Sequence, residues 1–216
     1  MKKIIITFSL ILAFTLLSFA QSSDAALRAV REKDIISRDM SGKLQTLSAT
    51  EHLYRAEVYS SNRLFPEARE HWSKILDFYA TDLNAMPKAI FGIARSFMWE
   101  RQYQKAVEWF DILLKDYSNT KEGREGLAFK GASLVRLKKN IEAAKTYQQY
   151  VVMYPTGEKI ESAHLNIIDA LREAGKYDEA NEWVDRTRTR FSGMPVETNA
   201  LQARLRMEIF RSNWDR

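Results

Sequence analysis

The sequence predicts an all-α protein, an α-solenoid of about four helix pairs with one helix before them and a capping helix after them. Three observations predict it. First, Ala68, Ala106, Ala143 and Ala180 recur at steps of 38, 37 and 37 residues. Second, their surroundings recur with them. Twelve residues before stand Ala56, Ala94, Gly131 and Ile168, and nine before stand Tyr59, Phe97, Leu134 and Leu171. Three before stand Phe65, Tyr103, Asn140 and Tyr177. Four after stand Trp72, Phe110, Tyr147 and Val184, and eleven after stand Tyr79, Tyr117, Tyr154 and Phe191. Third, apolar residues inside a unit keep helical spacing on both sides of a short break: 90, 93, 94, 97 and 98, then RQYQ, then 106, 109, 110, 113, 114 and 117. A fixed period in this range means units that bury their apolar faces on their neighbours. The small residues mark close approaches of helix backbones, where a larger side chain would push the pair apart.

Each element follows in order. Residues 1–20 read as a secretory signal peptide: MKK, the apolar run IIITFSLILAFTLL, then SFA before Gln21. The run is shorter than the ~20 residues of a comfortable membrane span, so cleavage between Ala20 and Gln21 is expected. Residues 21–49 read as an N-terminal helix and a loop. Asp24 is the expected cap of a helix to about Ser37, with Ala26, Leu27, Val30 and Ile35 on its apolar side. SRDMSGKLQTL, which holds Gly42, is the loop. Ser48-Ala-Thr-Glu51 has the form of a capping box, in which hydroxyl and carboxylate each satisfy the other residue's amide. It opens four repeats at about 50–83, 87–120, 124–157 and 161–192. Gly123 and Gly126 in KEGREG read as a loop before a helix. Ser192-Gly193-Met194-Pro195 ends the last repeat. Residues 193–216 hold the capping helix, from about 196 to 212, whose Leu201, Leu205, Ile209 and Phe210 are expected to cover the open end.

Composition narrows the chemistry. The chain has no Cys, which excludes an N-terminal lipid anchor on cysteine, disulfides, thiol catalysis and Cys-based metal sites. About 196 residues after cleavage suffice for a core without such staples. The net charge is +5, and loss of Lys2 and Lys3 with the signal leaves +3. Basic residues gather late, at Arg186, Arg188, Arg190, Arg204, Arg206, Arg211 and Arg216, and read as a solvated helix face. An exported protein rarely meets nucleic acid, so no nucleic-acid partner is expected. The three histidines, His52, His71 and His164, form no metal-ligand spacing and read as helix-surface or packing residues; His52 and His164 share a repeat column. There is no HExxH, phosphate-binding glycine loop or nucleophile elbow. Glu161-Ser162 is the single Glu-Ser pair of the chain, a combination of interest in peptidoglycan-cutting transglycosylases, but it lies at a repeat boundary with no lysozyme-like domain after it. The expectation is a protein that is not an enzyme, with no cofactor and no metal.

The phrases RLFPEAREHW, RQYQKAVEWF, KKNIEAAKTY and GKYDEANEWV, with Tyr154-Pro155, resemble the tetratricopeptide repeat (TPR) family over about Thr50 to Ser192. The period exceeds the family's ~34 residues. The family's small residue seven after the alanine is here Ile75, Leu113, Tyr150 and Thr187, and Ile168 replaces a small residue in the last unit. The long period and the aromatic–Pro ending look like exported envelope members of the family, such as the lipoprotein of outer-membrane barrel assembly and the coordinator of the Tol–Pal system. The resemblance implies a right-handed solenoid in which the first helix of each pair lines a concave groove. The columns 15, 11, 8 and 7 before the alanine would point into it: Leu53, Glu57, Ser60 and Ser61; Phe91, Arg95, Met98 and Trp99; Ala128, Ala132, Val135 and Arg136; Leu165, Asp169, Arg172 and Glu173. The partner-binding candidates are Glu57, Phe91, Arg95, Met98, Trp99, Arg136, Asp169 and Arg172. The Lys/Asn clamp with which some members hold chaperone C-termini is absent, its columns holding Leu53, Glu57, Gly92, Glu125 and Phe129. The implied function is a non-catalytic scaffold of the bacterial cell envelope, periplasmic or secreted, that binds a protein or peptide without lasting membrane insertion. Two alternatives stand beside it: a helical accessory module of a peptidoglycan-processing, lytic transglycosylase-like system, and a structural self-assembling repeat protein.

Overall fold

The computed structural model describes residues 25–214; the signal peptide, its cleavage site and the Asp24 cap lie outside them. Among the described residues the chain forms ten α-helices and no strand. They are α1 (25–36), α2 (Ala49–Ser61), α3 (Phe65–Phe78), α4 (Ala85–Trp99), α5 (Tyr103–Tyr117), α6 (Lys121–Arg136), α7 (Asn140–Met153), α8 (Ile160–Glu173), α9 (Tyr177–Arg190) and α10 (Pro195–Trp214). The chain divides into two compact units between Ile93 and Ala94. In the first, α2 packs on α3. In the second, α5 packs on α6, α6 on α7, α7 on α8 and α8 on α9, and α10 closes against α8 and α9.

The turn inside each repeat explains why the alanines recur. Arg63, Arg101, Lys138 and Gly175 stand five residues before them and all have left-handed φ, between 60° and 72°. The N–H of the next residue reaches back to the carbonyl five residues before it: Leu64 to Tyr59, Gln102 to Phe97, Lys139 to Leu134 and Lys176 to Leu171, all 2.8–3.0 Å. That is a Schellman closure, in which a left-handed residue lets the last carbonyls of one helix be satisfied. The same four residues then cap the next helix, and the repeat alanine donates its N–H to their carbonyls, at 2.9–3.0 Å. The alanine is thus the first residue of the second helix with a full helical hydrogen bond, facing back across a turn only three residues wide. Three of the four left-handed positions carry a long basic side chain at a site that favours glycine, at a strain of roughly 1–2 kcal/mol each. Glycine gives part of this back as unfolded-state entropy. Lys138→Gly is expected to stabilise the second unit by about 0.5–1 kcal/mol, and Gly175→Lys to destabilise it by about the same. Thermal melts of the pair decide it; a stabilising Gly175→Lys would mean the turn does not constrain the chain.

The repeat columns form the core. The four alanines, Ala56, Ala94 and Ile168 are fully buried, as are Phe110 and Val184, with Trp72 and Tyr147 nearly so. The column seven after the alanine, where the family is small, is buried throughout by Ile75, Leu113, Tyr150 and Thr187. Glycine on the facing helix makes room for Leu113 of this column and for Trp72 and Tyr147 of the column four after the alanine. A Cβ on Gly131 would lie 2.6–2.9 Å from the Tyr147 ring, one on Gly126 2.7 Å from Leu113, and one on Gly92 2.4 Å from the Trp72 ring. The aromatic column eleven after the alanine ties successive turns: Tyr79 donates its hydroxyl to the Leu47 carbonyl and Tyr154 to that of Ser118, both at 2.5 Å.

Four local expectations are corrected. Gly123 and Gly126 lie inside α6, not in a loop before it. A Cβ on Gly123 would stand 2.1 Å from the Tyr117 carbonyl oxygen, so that glycine is set by helix entry. The capping box is half made: Ser48 accepts from the Glu51 N–H at 3.2 Å, but the Glu51 carboxylate turns to Arg55 at 2.8 Å. The loop 37–48 is pinned by an isolated antiparallel bridge between Arg38 and Leu44. On α1, Ile35 is exposed and Asp34 takes the buried position beside Val30. On α10 the buried stripe is Val196, Ala200, Ala203 and Met207, while Leu201, Leu205, Ile209 and Phe210 are exposed. Small residues let α10 lie close against the last pair, so the bulky residues that resemble a core face point away.

Candidate partner-binding face

The columns 15, 11, 8 and 7 before each alanine fall on one stripe of the first helix of each pair, because those offsets sit within about 100° on a helix of 3.6 residues per turn. Burial grades across this stripe. The −15 column is never exposed: Phe91 is buried and Leu53, Ala128 and Leu165 are half-buried. The −7 column is exposed in every unit, at Ser61, Trp99, Arg136 and Glu173. Glu57 and Asp169 are exposed, Arg95, Met98 and Arg172 half-buried. Phe91, at 7% exposure, is a core residue and is removed from the set of contact candidates. Trp99, at 48%, keeps half of a large ring in water at the end of α4, and Arg95 lies one turn before it on the same face. Asp169 and Arg172 pair on α8 at 3.3 Å, and the same guanidinium reaches Glu173 at 2.9 Å. Arg172 also lines a cleft of about 520 Å³ with Tyr177, Arg206, Met207 and Phe210. Glu57 and Phe91 belong to the first unit and the other six candidates to the second.

The first unit also holds a buried polar network that the repeat columns do not reveal. Asp34 of α1 is 4% exposed. One oxygen accepts from the Arg55 guanidinium at 2.5 Å, the other from the Tyr59 hydroxyl at 2.6 Å and from His71 Nε2 at 3.0 Å. His71 Nδ1 meets His52 Nδ1 at 2.9 Å, and His52 Nε2 accepts the Leu47 N–H at 3.0 Å. This geometry fixes every proton. Because Leu47 donates to His52 Nε2, the His52 proton is on Nδ1 and donates to His71 Nδ1. The His71 proton is then on Nε2 and donates to Asp34. Burial alone would push Asp34 up, but the hydrogen bonds from His71, Tyr59 and Arg55 hold it down at about 2. Burial, reinforced by His71 and then by the charges of Lys74 and Arg55, pushes His52 down to about 4, and Tyr59 is pushed up by burial and by Asp34. In the second unit His164 is also held at about 4, by burial and then by Arg190 and Arg186, with Nδ1 on Thr187 Oγ1 at 3.1 Å. The histidines are therefore packing residues, not surface ones. The sequence does carry a trace of this network: Asp34 lies four after Val30, and Arg55 occupies a column that holds Ile93 and Ile167 elsewhere.

No three His, Asp or Glu side chains among the described residues are placed to hold a metal ion. No described helix is long and apolar enough to cross a membrane. Glu161 and Ser162 sit in the first turn of α8, where the Ser162 hydroxyl donates to the Lys159 carbonyl.

No protein-family model matches the sequence, and no curated protein matches it. Solved structures do match the fold. The nearly identical TPR-like repeats of a kinesin-light-chain-like protein from Podosopora anserina superpose with a TM-score of 0.58 at 16% identity, over 79% of this chain and 87% of that one. MamA of AMB-1 superposes at 0.59 and 16% identity, over 83% and 88%. MamA of MSR-1 superposes at 0.56 and 14%, over 87% and 90%. At these identities the likeness is one of fold, and the fold is the TPR-like solenoid.

Proposed function

We propose that the protein is an exported, non-catalytic scaffold of the bacterial cell envelope that binds a partner protein or peptide on the first-helix face of its repeats. The observation that carries this reading is the graded stripe. Its rim is exposed in all four units and includes a half-exposed Trp99 with Arg95 one turn away. Tryptophan and arginine are the residue types most often found at the energetic centre of interfaces. Arg136 and Arg172 repeat the basic character on the next first helices, which suits an acidic or extended peptide. Export rests on the n-region, apolar run and SFA site of residues 1–20.

The test is affinity capture with the tagged chain expressed with its own first 20 residues and recovered from the exported fraction. The bait should begin at Gln21, and Trp99→Ala combined with Arg95→Ala should weaken retention of the captured protein by at least about 2 kcal/mol, some 30-fold, with helix content unchanged. A bait that keeps Met1 contradicts the export step. A folded double variant that retains the partner moves binding away from this face. A second reading, self-assembly, is favoured by the exposed row Leu201, Leu205 and Ile209 on α10; a monomer mass by light scattering removes it.

A further inference from the structure

We propose that Asp34, His71, His52 and the Leu47 amide form an acid-sensitive latch that holds α1 and the connection 37–48 on the α2–α3 pair and releases them as the surroundings become mildly acidic. The latch joins four parts of the chain in one line of hydrogen bonds: α1 through Asp34, α3 through His71, α2 through His52, and the connection through Leu47. Both imidazoles are enclosed, with His52 fully buried and His71 at 1% exposure. Every ring nitrogen is already committed. A proton added to His71 lands on Nδ1 and faces the His52 Nδ1–H. A proton added to His52 lands on Nε2 and faces the Leu47 N–H. Each sets donor against donor in a place water does not reach, so the latch accepts protons only by opening.

The surrounding charges sharpen this. From α1, Asp34 favours a protonated histidine, and the charge of Arg31 acts on Tyr59. From α2, Arg55 opposes it and is itself bound to Asp34 and Glu51. From α3, His71 and then Lys74 oppose it, and Glu70 is occupied by a two-pronged pair with Arg38 of the connection at 2.6 and 2.8 Å. The charge of Glu67 on α3 also acts on Tyr59. His52, near 4 when enclosed and near 6.5 when free, binds protons better in the open state. The closed state is therefore fully favoured above about pH 6.5 and loses ground as pH falls from there toward 4. Opening carries away α1 and the connection with their exposed Ile35, Ile36 and Met40, and uncovers Val30, Leu44 and the α2–α3 surface beneath them.

Amide exchange of the full chain, corrected for the intrinsic pH effect, tests this. Between pH 7.5 and 5.0, protection over 27–48 should fall at least tenfold while α6 and α7 change less than twofold. His52→Gln, whose amide can accept from Leu47 and donate to His71 without titrating, should keep protection over 27–48 within threefold. Nitrogen spectra of the wild-type imidazoles at pH 7.5 should show His52 protonated at Nδ1 and His71 at Nε2. The proposal is overturned by unchanged protection over 27–48, by loss shared equally with α6 and α7, by an equal loss in a folded His52→Gln, or by the opposite tautomers. The tautomer spectrum needs no variant, so a His52→Gln chain that fails to fold leaves the decision with it.

Discussion

Ala106→Glu and Ala143→Glu will each destabilise the second unit by at least about 3 kcal/mol. Both alanines have no exposed surface. Each closes the first hydrogen bond of its helix, to the carbonyls of Gln102 and Lys139. A glutamate there has no room in a fully buried position. Ala143 sits beneath Leu134 and Tyr147 in the packed interior of its repeat, and Ala106 occupies the matching place beside Phe110. Overpacking a dense core costs about 1–3 kcal/mol, and a buried unpaired charge adds to it or forces the carboxylate to take up a proton. For a chain of this size 1 kcal/mol moves the melting temperature by about 2–4 °C, so a drop of at least about 6 °C is expected in a melt followed by circular dichroism. Because the chain has two compact units, amide exchange in α5–α8 must report the loss as well as the global signal. A change below about 0.5 kcal/mol, the range of ordinary surface substitutions, would show that the repeat columns do not describe the packing.

How much of the fold is legible in the amino-acid sequence depends on which force sets each feature. The helix pairs are legible because burial imposes period 3.6 within a helix and period 37–38 between repeats, and both leave marks on many residues at once. The intra-repeat turn is not, because three of its four left-handed positions are Arg63, Arg101 and Lys138. Only Gly175 carries the residue type that announces such a φ. On α10, side-chain size is a poor guide to the buried face. Close approach selects Ala200 and Ala203, and leaves Leu205 and Ile209 outside. On the binding stripe, Trp99 is the surface ring at the end of α4 that its position before the turn suggests, whereas Phe91, two turns earlier, turns inward with the −15 column. Helical phase alone puts both on one face, and the grade of burial across that face depends on how neighbouring helices tilt, which one sequence does not carry. The His52–His71–Asp34 line is hidden for a different reason. Its members are 18, 19 and 37 residues apart and belong to no repeat column in common; only the fold brings them together.

That line also yields the other large effect. Asp34→Asn will cost the first unit about 3 kcal/mol or more, although it alters one atom. Removing a partner from a buried ion pair typically costs about 3–5 kcal/mol because it uncovers the remaining charge, and here that charge is Arg55, whose NH1 loses its Asp34 partner at 2.5 Å while its Nε keeps Glu51 at 2.8 Å. The substitution also cannot satisfy its neighbours in either orientation of the amide. With the amide oxygen toward Arg55, the NH2 group points at Tyr59 and His71 Nε2. His71 must then shift its proton to Nδ1, against the His52 proton, and His52 must shift its own to Nε2, against the Leu47 N–H. With the oxygen toward Tyr59 and His71, the NH2 group faces the guanidinium, donor against donor. The error therefore either stays at Arg55 or travels through two imidazoles to the loop. The free energy of opening read from amide exchange in α2 and α3 should fall by at least about 3 kcal/mol at pH 7.5, and the Tyr79 bond to Leu47 should not rescue it, since that carbonyl belongs to the loop being released. If Asp34→Asn costs less than about 1 kcal/mol, the network is a passive set of contacts. The first unit would then rest on its apolar columns alone: Ala56, Ala68, Trp72 and Ile75.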